Sequence, residues 1–255
     1  MQNLKVTIIQ PDIIWENKIS NLLKYEDIIK NITSNPDVII LPEMFTTGFT
    51  MENKLSEKSC GYTVEWMKIM SMNKNAHIMG SVIIEGDDGN IYNRLLSVKD
   101  NFIEFYDKKH LFAYAGEDKF YTAGNQRKIV NINGWRILLQ ICYDLRFPVF
   151  SRNQDDYDAI VYVSNWPEKR NMSWKILLKA RAIENQSYVI GVNRVGTDGN
   201  GHNYLGESQV INPLGNIICI SNKPEIIDVE LDLDYLKKIR IELPFLKDRD
   251  FFDLK

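Results

Sequence analysis

Residues 135–153 read WRILLQICYDLRFPVFSRN, and the fold class follows from this stretch. Its first seven residues read as an apolar strand. The run ends at Cys142, and the segment after it reads as the start of a helix. Just upstream, Asn133-Gly134 is the residue pair that favours a tight two-residue turn. Residues 127–132 and 135–141 are therefore expected to pair as a hairpin. One stretch thus carries a hairpin on one side and a strand-to-helix corner on the other. Chains that mix both connections build α/β (α+β layered) folds of mixed sheets and helices, not a wholly parallel sheet.

The same alternation continues outward. Toward the N-terminus, residues 4–10 alternate as a strand. Residues 17–31 place Ile19, Leu22, Leu23, Ile28 and Ile29 at near-helical spacing. DVIIL at 37–41 is a continuous apolar run, as in a strand covered on both faces. Residues 65–75 read as a helix and 76–84 as a strand. GDDGN at 86–90 signals a hairpin turn, with strands at 91–98 and 102–107. Toward the C-terminus, strands are expected at 157–163, 188–193, 205–211 and 217–220. The clearest helix is 172–186, with Trp174, Leu177, Leu178, Arg181 and Ala182 near one face. Residues 226–231 lead into a last short helix at 233–241. No repeat, linker or low-complexity stretch interrupts the chain, so a single domain, 1–255, is the simplest reading.

Composition narrows the function classes. The 255 residues are 44% hydrophobic and 25% charged, with a formal net charge of −3. That describes a soluble globular chain, and nothing in it favours nucleic acid or an anionic membrane as partner. The opening MQNLKVTIIQ is too short for a signal peptide and lacks a small-residue cleavage site. No apolar stretch approaches the roughly 20 residues a membrane span needs. A cytoplasmic protein is expected. Cys60, Cys142 and Cys219 are odd in number and form no CxxC pair, so neither a disulfide framework nor a zinc ribbon is credible. With His77, His110 and His202 as the only histidines and no HExxH, a metal site would have to gather nearly all of them. No GxSxG, Walker A or Rossmann glycine pattern is present, which disfavours a serine α/β-hydrolase and dependence on ATP or NAD.

Three residues carry candidate chemistry. A thiol at the corner ending at Cys142 would sit near the positive end of a helix dipole, which lowers its pKa. The N–H of Tyr143 would then face a developing oxyanion. The alternative is a buried structural cysteine. Glu43 follows DVIIL in LPEMF and emerges at a strand's C-terminal end, where α/β sites form. Its flanks Pro42, Met44 and Phe45 would desolvate it and raise its pKa toward that of a general base. The alternative is an ordinary loop carboxylate. In FYDKKHLF, Lys108 and Lys109 point to opposite sides if extended, so one can enter a site while the other meets water. Taken alone, the pair is also compatible with a solvated strand edge.

Together, LPEMF, YDKKHLF and CYDLRFP, in this order, resemble the glutamate, lysine and cysteine motifs of the nitrilase superfamily of carbon–nitrogen hydrolases. SNWP at 164–167, ARAIENQSYVIGVNRVG at 180–196 and GESQVINPLGNII at 206–218 extend the resemblance over nearly the whole chain. LPEMFTTGF, YDKKHLF and DGNGHNYLGES look most like its omega-amidase, or 2-oxoglutaramate amidase-like, branch.

The resemblance implies a four-layer αββα sandwich and a homodimer. It implies Cys142 as nucleophile, Glu43 as general base and Lys108 as oxyanion stabiliser. Lys108 rather than Lys109 matches, two residues before His110. A second glutamate falls on Glu117, with Asp118 beside it as rival. No metal or organic cofactor is implied. The implied substrate is the ω-amide of a small 2-oxo dicarboxylic acid, such as 2-oxoglutaramate or 2-oxosuccinamate. A guanidinium binds such a carboxylate bidentately, and Arg146, four residues after Cys142, is the candidate. Its alternative is an ion pair with Asp144 or another nearby carboxylate. Phe45, Phe49, Tyr143 and Trp166 are candidate pocket walls, with core packing as the default for aromatics. Lys169 and Arg170, after SNWP, are expected in a solvated loop, the alternative being that they help neutralise the substrate. His110 or His202 as a cysteine-pairing base is the weaker scheme, and Cys60 and Cys219 carry no chemistry. Competing functions are another small-molecule carbon–nitrogen hydrolase, such as an N-carbamoyl amidase or nitrilase, or a non-catalytic binding protein.

Overall fold

The computed structural model describes residues 2–253, so Met1, Leu254 and Lys255 of the expected 1–255 domain lie outside the described residues. The strands in chain order are β1 (Leu4–Gln10), β2 (Val38–Ile40), β3 (Glu57–Lys58), β4 (His77–Glu85), β5 (Ile91–Lys99), β6 (Phe102–Asp107), β7 (Ile129–Ile132), β8 (Trp135–Ile141), β9 (Ala159–Val163), β10 (Tyr188–Val192), β11 (Val195–Thr197), β12 (Asn203–Leu205), β13 (Ser208–Ile211), β14 (Ile217–Ser221) and β15 (Glu225–Leu231). The helices are α1 (Lys18–Lys30), α2 (Tyr62–Lys74), the one-turn α3 (Pro148–Ser151), α4 (Asn171–Asn185) and α5 (Leu233–Glu242).

Thirteen of the strands form two mixed sheets, and β11 and β12 form a small sheet of their own. One runs β15-β1-β2-β4-β5-β6, with β3 beside β4, and the other runs β14-β13-β10-β9-β8-β7. Alternate side chains of each sheet meet between them. Val6, Val38 and Ile40 of the first sheet pack against Ile137, Leu139 and Val161 of the second. The opposite face of the first sheet, through Ile39 and Ile78, is covered by Leu22, Tyr25 and Met67 of α1 and α2. The opposite face of the second, through Leu138 and Ile160, is covered by Trp174, Leu178 and Ala182 of α4. The result is the expected αββα order. It explains the unbroken apolar runs, because strands in both sheets are buried on two faces. The same holds for β1, which is almost wholly buried instead of alternating.

Local signals place most boundaries. Asn17 caps α1 by accepting the Ser20 N–H at 3.1 Å. Asn133 and Gly134 both take positive φ, as their turn between β7 and β8 requires.

Three expectations need correction. The segment after Cys142 is a 3-10 turn, Cys142–Arg146, followed only by α3. Phe147 precedes a proline and takes non-helical angles, which interrupts the run. In α1, Ile19 and Leu23 are exposed, and the buried face is Asn21, Leu22, Tyr25 and Ile29. Residues 205–211 do not form one strand. Gly206 and Glu207 take positive φ and break it. A Cβ on Gly206 would lie 2.5 Å from the Gln10 side chain, so a larger residue does not fit. The first part, β12, pairs with β11 as a separate hairpin.

Candidate active site

Four strand ends converge at one end of the sandwich. Glu43 follows β2 and Lys108 follows β6 in the first sheet. Cys142 follows β8 and Asn165 follows β9 in the second. Pro42 ends β2, and Met44 turns the chain at φ 42° with its N–H donated to Ser81 Oγ at 2.8 Å. That turn holds the Glu43 side chain inward. Lys108 is fixed by its own N–H to the Asn93 carbonyl (3.0 Å) and by Gly124, whose N–H donates to the Lys108 carbonyl (2.9 Å). A Cβ on Gly124 would meet the Asp107 carbonyl at 2.2 Å, so that close approach needs glycine.

The Lys108 ammonium is fully buried. It donates to Glu43 Oε1 at 2.9 Å and to both carboxylate oxygens of Glu117 at 2.9 Å. Burial alone would expel its proton. Glu117, Glu43 and Cys142 outweigh that and hold its pKa above the ordinary lysine value. A buried ammonium between two carboxylates is thus paired, not stranded. Glu117 is pushed upward by burial and by Glu43, against the pull of Lys108. The neighbouring Asp118 is exposed, so Glu117 is the carboxylate inside. Lys109 is half-buried outside the cluster.

Sequence reasoning missed two asparagines that hold this group. Asn93 Nδ2 donates to Glu43 Oε1 at 2.8 Å, and its Oδ1 accepts from Ser81 Oγ at 2.7 Å. The Asn165 N–H donates to Glu43 Oε2 at 2.8 Å, and its Nδ2 donates to the Glu43 carbonyl at 2.6 Å. An asparagine inside the apolar run of β5 was the available signal for the first. Asn165 lay within the SNWP segment.

Cys142 sits at φ 44°, a left-handed backbone that is strained for a non-glycine residue. Asp144 closes the turn by accepting the Ile141 N–H at 2.9 Å. The thiol is within 4.0 Å of the Asn165 carbonyl. Its pKa is pushed well above the ordinary thiol value, first by burial and then by Glu43, with Lys108 opposing. This reverses the expectation of a helix-lowered pKa: there is no long helix at the corner, and the carboxylates are close.

The thiol, Glu43 and Lys108 lie on a cavity of about 630 Å³. Phe49, Tyr143, Arg146 and Trp166 line it too. Phe49 lies 5.2 Å below the Lys108 ammonium, and Tyr143 meets Phe112 edge-on at 4.9 Å. Phe45 instead packs with Tyr25 and Trp66 in the core under α1 and α2. Arg146 does not pair with Asp144. That carboxylate is fully buried and accepts from Tyr106 Oη, the His110 N–H and the Ile141 N–H, while a ring nitrogen of His110 meets it at 2.8 Å. The guanidinium of Arg146 lies over Trp166 at 5.0 Å and donates to Ser173 Oγ at 3.0 Å. His110 is spent on Asp144 and stacks on Phe147 at 3.7 Å, and His202 is exposed at the cavity rim. Lys169 and Arg170 both line the cavity, Lys169 exposed and Arg170 half-buried over Phe112 at 5.0 Å, so the favoured solvated-loop reading gives way to its alternative for Arg170. Among the described residues, no group of three or more His, Cys, Asp or Glu stands together as a metal site. No helix among them is long and apolar enough to cross a membrane.

An αββα sandwich with a glutamate, a lysine and a cysteine at one end defines a nitrilase-superfamily carbon–nitrogen hydrolase. The family model described as Carbon-nitrogen hydrolase matches residues 5–241, and the chain belongs to that family. The chain is 46% identical to omega-amidase YafV of Escherichia coli, over 100% of both chains. It is 29% identical to the 2-oxoglutaramate amidase of Bacillus subtilis, over 95% of this chain and 96% of that one. Among solved structures it resembles a CN-hydrolase superfamily protein of Xanthomonas campestris described with an arsenic adduct in the active site. The TM-score is 0.97, with 36% identity over 100% of both chains.

Proposed function

We propose that this protein is an omega-amidase that hydrolyses the terminal amide of small 2-oxo dicarboxylic acid monoamides, 2-oxoglutaramate and 2-oxosuccinamate, through a cysteine thioester. One observation carries the reading. A cavity floor holding Cys142, Glu43 and Lys108 opens toward Arg146, a guanidinium that no carboxylate among the described residues occupies. The floor offers amide chemistry and the wall offers a carboxylate receptor. The 46% identity to an omega-amidase supports the same substrate class.

In the proposed reaction the thiol stays protonated at rest, because burial and Glu43 disfavour the thiolate. Glu43 takes the proton as sulfur attacks the amide carbon. Lys108 and the Tyr143 N–H hold the tetrahedral oxyanion, donors of a kind worth roughly 3–4 kcal/mol each. Glu43 passes its proton to the leaving nitrogen, ammonia departs and a thioester remains. Glu43 then deprotonates a water that attacks the thioester. The acid leaves, and the sulfur regains a proton. Glu117 keeps Lys108 charged and aimed at the oxyanion. Phe49, Tyr143 and Trp166 exclude water around the short substrate chain.

The test is ammonia release from a panel of small amides, nitriles and carbamoyl compounds, with wild type and Cys142→Ala. The expected pattern is turnover of the 2-oxo acid amides, without carbon dioxide, and its loss in the variant. Turnover confined to nitriles or carbamoyl compounds would point to a different carbon–nitrogen hydrolase, and an inert wild type to a binding protein.

Homodimerisation and a cytoplasmic location belong to the same proposal. Met172, Ile176 and Ile183 on the outward side of α4 are exposed apolar residues that a second copy would cover. Sedimentation of the purified protein tests the pairing.

A further inference from the structure

We infer that Arg170 is a second substrate-anchoring guanidinium, which together with Arg146 selects an end carrying both a carboxylate and an adjacent 2-oxo group. The inference rests on the omega-amidase reading above. It assigns to a named residue the preference for the 2-oxo acid over the plain acid or the amino acid.

The two arginines are built into one corner. Ser173 Oγ accepts from Arg146 Nη2 at 3.0 Å and donates to the Arg170 carbonyl at 2.8 Å. Trp166 lies under the Arg146 guanidinium, and its Nε1 donates to the same Arg170 carbonyl at 2.8 Å. The Arg170 guanidinium reaches back over Phe112, whose N–H is bonded to Glu117 Oε2 at 2.5 Å. Arg170 and Lys108 thus line the same cavity.

Neither guanidinium has a partner of its own charge complement. Among the described residues, the arginine ion pairs are those of Arg94, Arg127, Arg181, Arg194, Arg240 and Arg249. Glu168, on the same cavity lining, is exposed and pairs with neither arginine, and three other carboxylates of the region are held elsewhere. Asp144 holds Tyr106, His110 and Ile141. Glu207 holds Asn171 and Lys175, and Asp198 holds Tyr204 and two backbone N–H groups. Two half-buried cations in a catalytic cavity thus await an anion from outside.

One guanidinium fork satisfies one carboxylate. A second fork on the same cavity suits a further acceptor, and the 2-oxo oxygen lies next to the carboxylate in such substrates. A 2-ammonium at that position offers no acceptor and places a positive charge beside two others. A methylene there offers nothing to bond. Arg170 would then favour the 2-oxo acid amide over both.

The test compares kcat/KM for 2-oxoglutaramate and for glutaric acid monoamide, which lacks the oxo group, in wild type, Arg170→Gln and Arg170→Lys. The ratio of the two does not depend on how much of a variant folds. Loss of a charge-assisted hydrogen bond predicts that Arg170→Gln lowers the ratio roughly tenfold or more. Arg170→Lys, a point charge without the fork, should fall between. Should Arg170→Gln turn over neither substrate, the Lys variant decides by the same ratio. A ratio unchanged from wild type overturns the role of Arg170 alone. A wild type that cleaves other amides but not 2-oxoglutaramate overturns the omega-amidase reading instead.

Discussion

Lys108 is gripped by Glu117 through both carboxylate oxygens, each at 2.9 Å, with all three atoms shut away from solvent. Glu43 takes the remaining side of the ammonium. The proposed general base and the proposed oxyanion cation therefore share one contact, and Glu117 sets where the cation sits.

Removing the cation should leave two buried carboxylates without a counter-charge. Lys108→Met is expected to lower unfolding free energy by about 3–5 kcal/mol, the usual cost of breaking a buried ion pair from one side. Urea denaturation at neutral pH measures it. A loss under about 1 kcal/mol, the range of solvent-exposed pairs, would mean that the cluster is well hydrated.

Glu117→Gln keeps the shape but removes one negative charge from Lys108. We expect kcat for 2-oxoglutaramate to fall by roughly 10²-fold with a smaller change in KM, since the loss concerns the oxyanion more than the ground state. Steady-state kinetics with an ammonia readout decides. A change in KM alone would assign Glu117 to substrate binding.

The raised pKa of Cys142 has a consequence at alkaline pH. Its folded-state pKa lies above the unfolded value, so the thiol keeps its proton in the folded chain after the unfolded chain has begun to lose it. Stability from this group is unaffected below the unfolded pKa, near 8.5, and falls as pH rises above it toward the folded pKa. Cys142→Ala should remove that slope. Urea midpoints at pH 8 and pH 10 should therefore differ less in the variant than in wild type. Equal differences would mean that the thiol is not destabilised as an anion.

Asp144 ties the turn holding Cys142 to the segment holding Lys108, through Ile141 on one side and Tyr106 and His110 on the other. Asp144→Ala leaves those buried donors unpaired and should cost roughly 3 kcal/mol. It should also lower kcat, because the sulfur and the ammonium lose their common anchor. Calorimetry and kinetics on the same preparation test both parts.

Arg146→Lys replaces a fork by a point charge. We expect kcat/KM to fall roughly tenfold or more for 2-oxoglutaramate, mainly through KM, and by a smaller factor for an uncharged amide such as butyramide. Equal falls on both would make Arg146 a structural residue.

Much of the sandwich was legible because its signals are local. DVIIL reported a strand covered on both faces, WRILLQI reported a strand, and Asn133-Gly134 reported its turn from two residues alone. Glu43, Lys108 and Cys142 were legible because each sits at the end of such a run, inside a segment similar to a family motif. The helix expected after Cys142 failed because Phe147 precedes Pro148 and the turn at Cys142 is left-handed. The strand expected at 205–211 failed because Gly206 and Glu207 turn the chain against Gln10, about two hundred residues away.

What the sequence determined by itself, then, was which backbone segments extend, which turn, and which three side chains stand at strand ends. The tertiary structure alone decided how those side chains are charged and partnered. Glu43 meets Lys108 across 65 residues of chain and Asn165 across 122. Coulomb and hydrogen-bond energies depend on those spatial distances, not on neighbours in sequence. For the same reason Asp144 went to His110 and Tyr106 rather than to nearby Arg146, which left that guanidinium, like Arg170, lining the cavity.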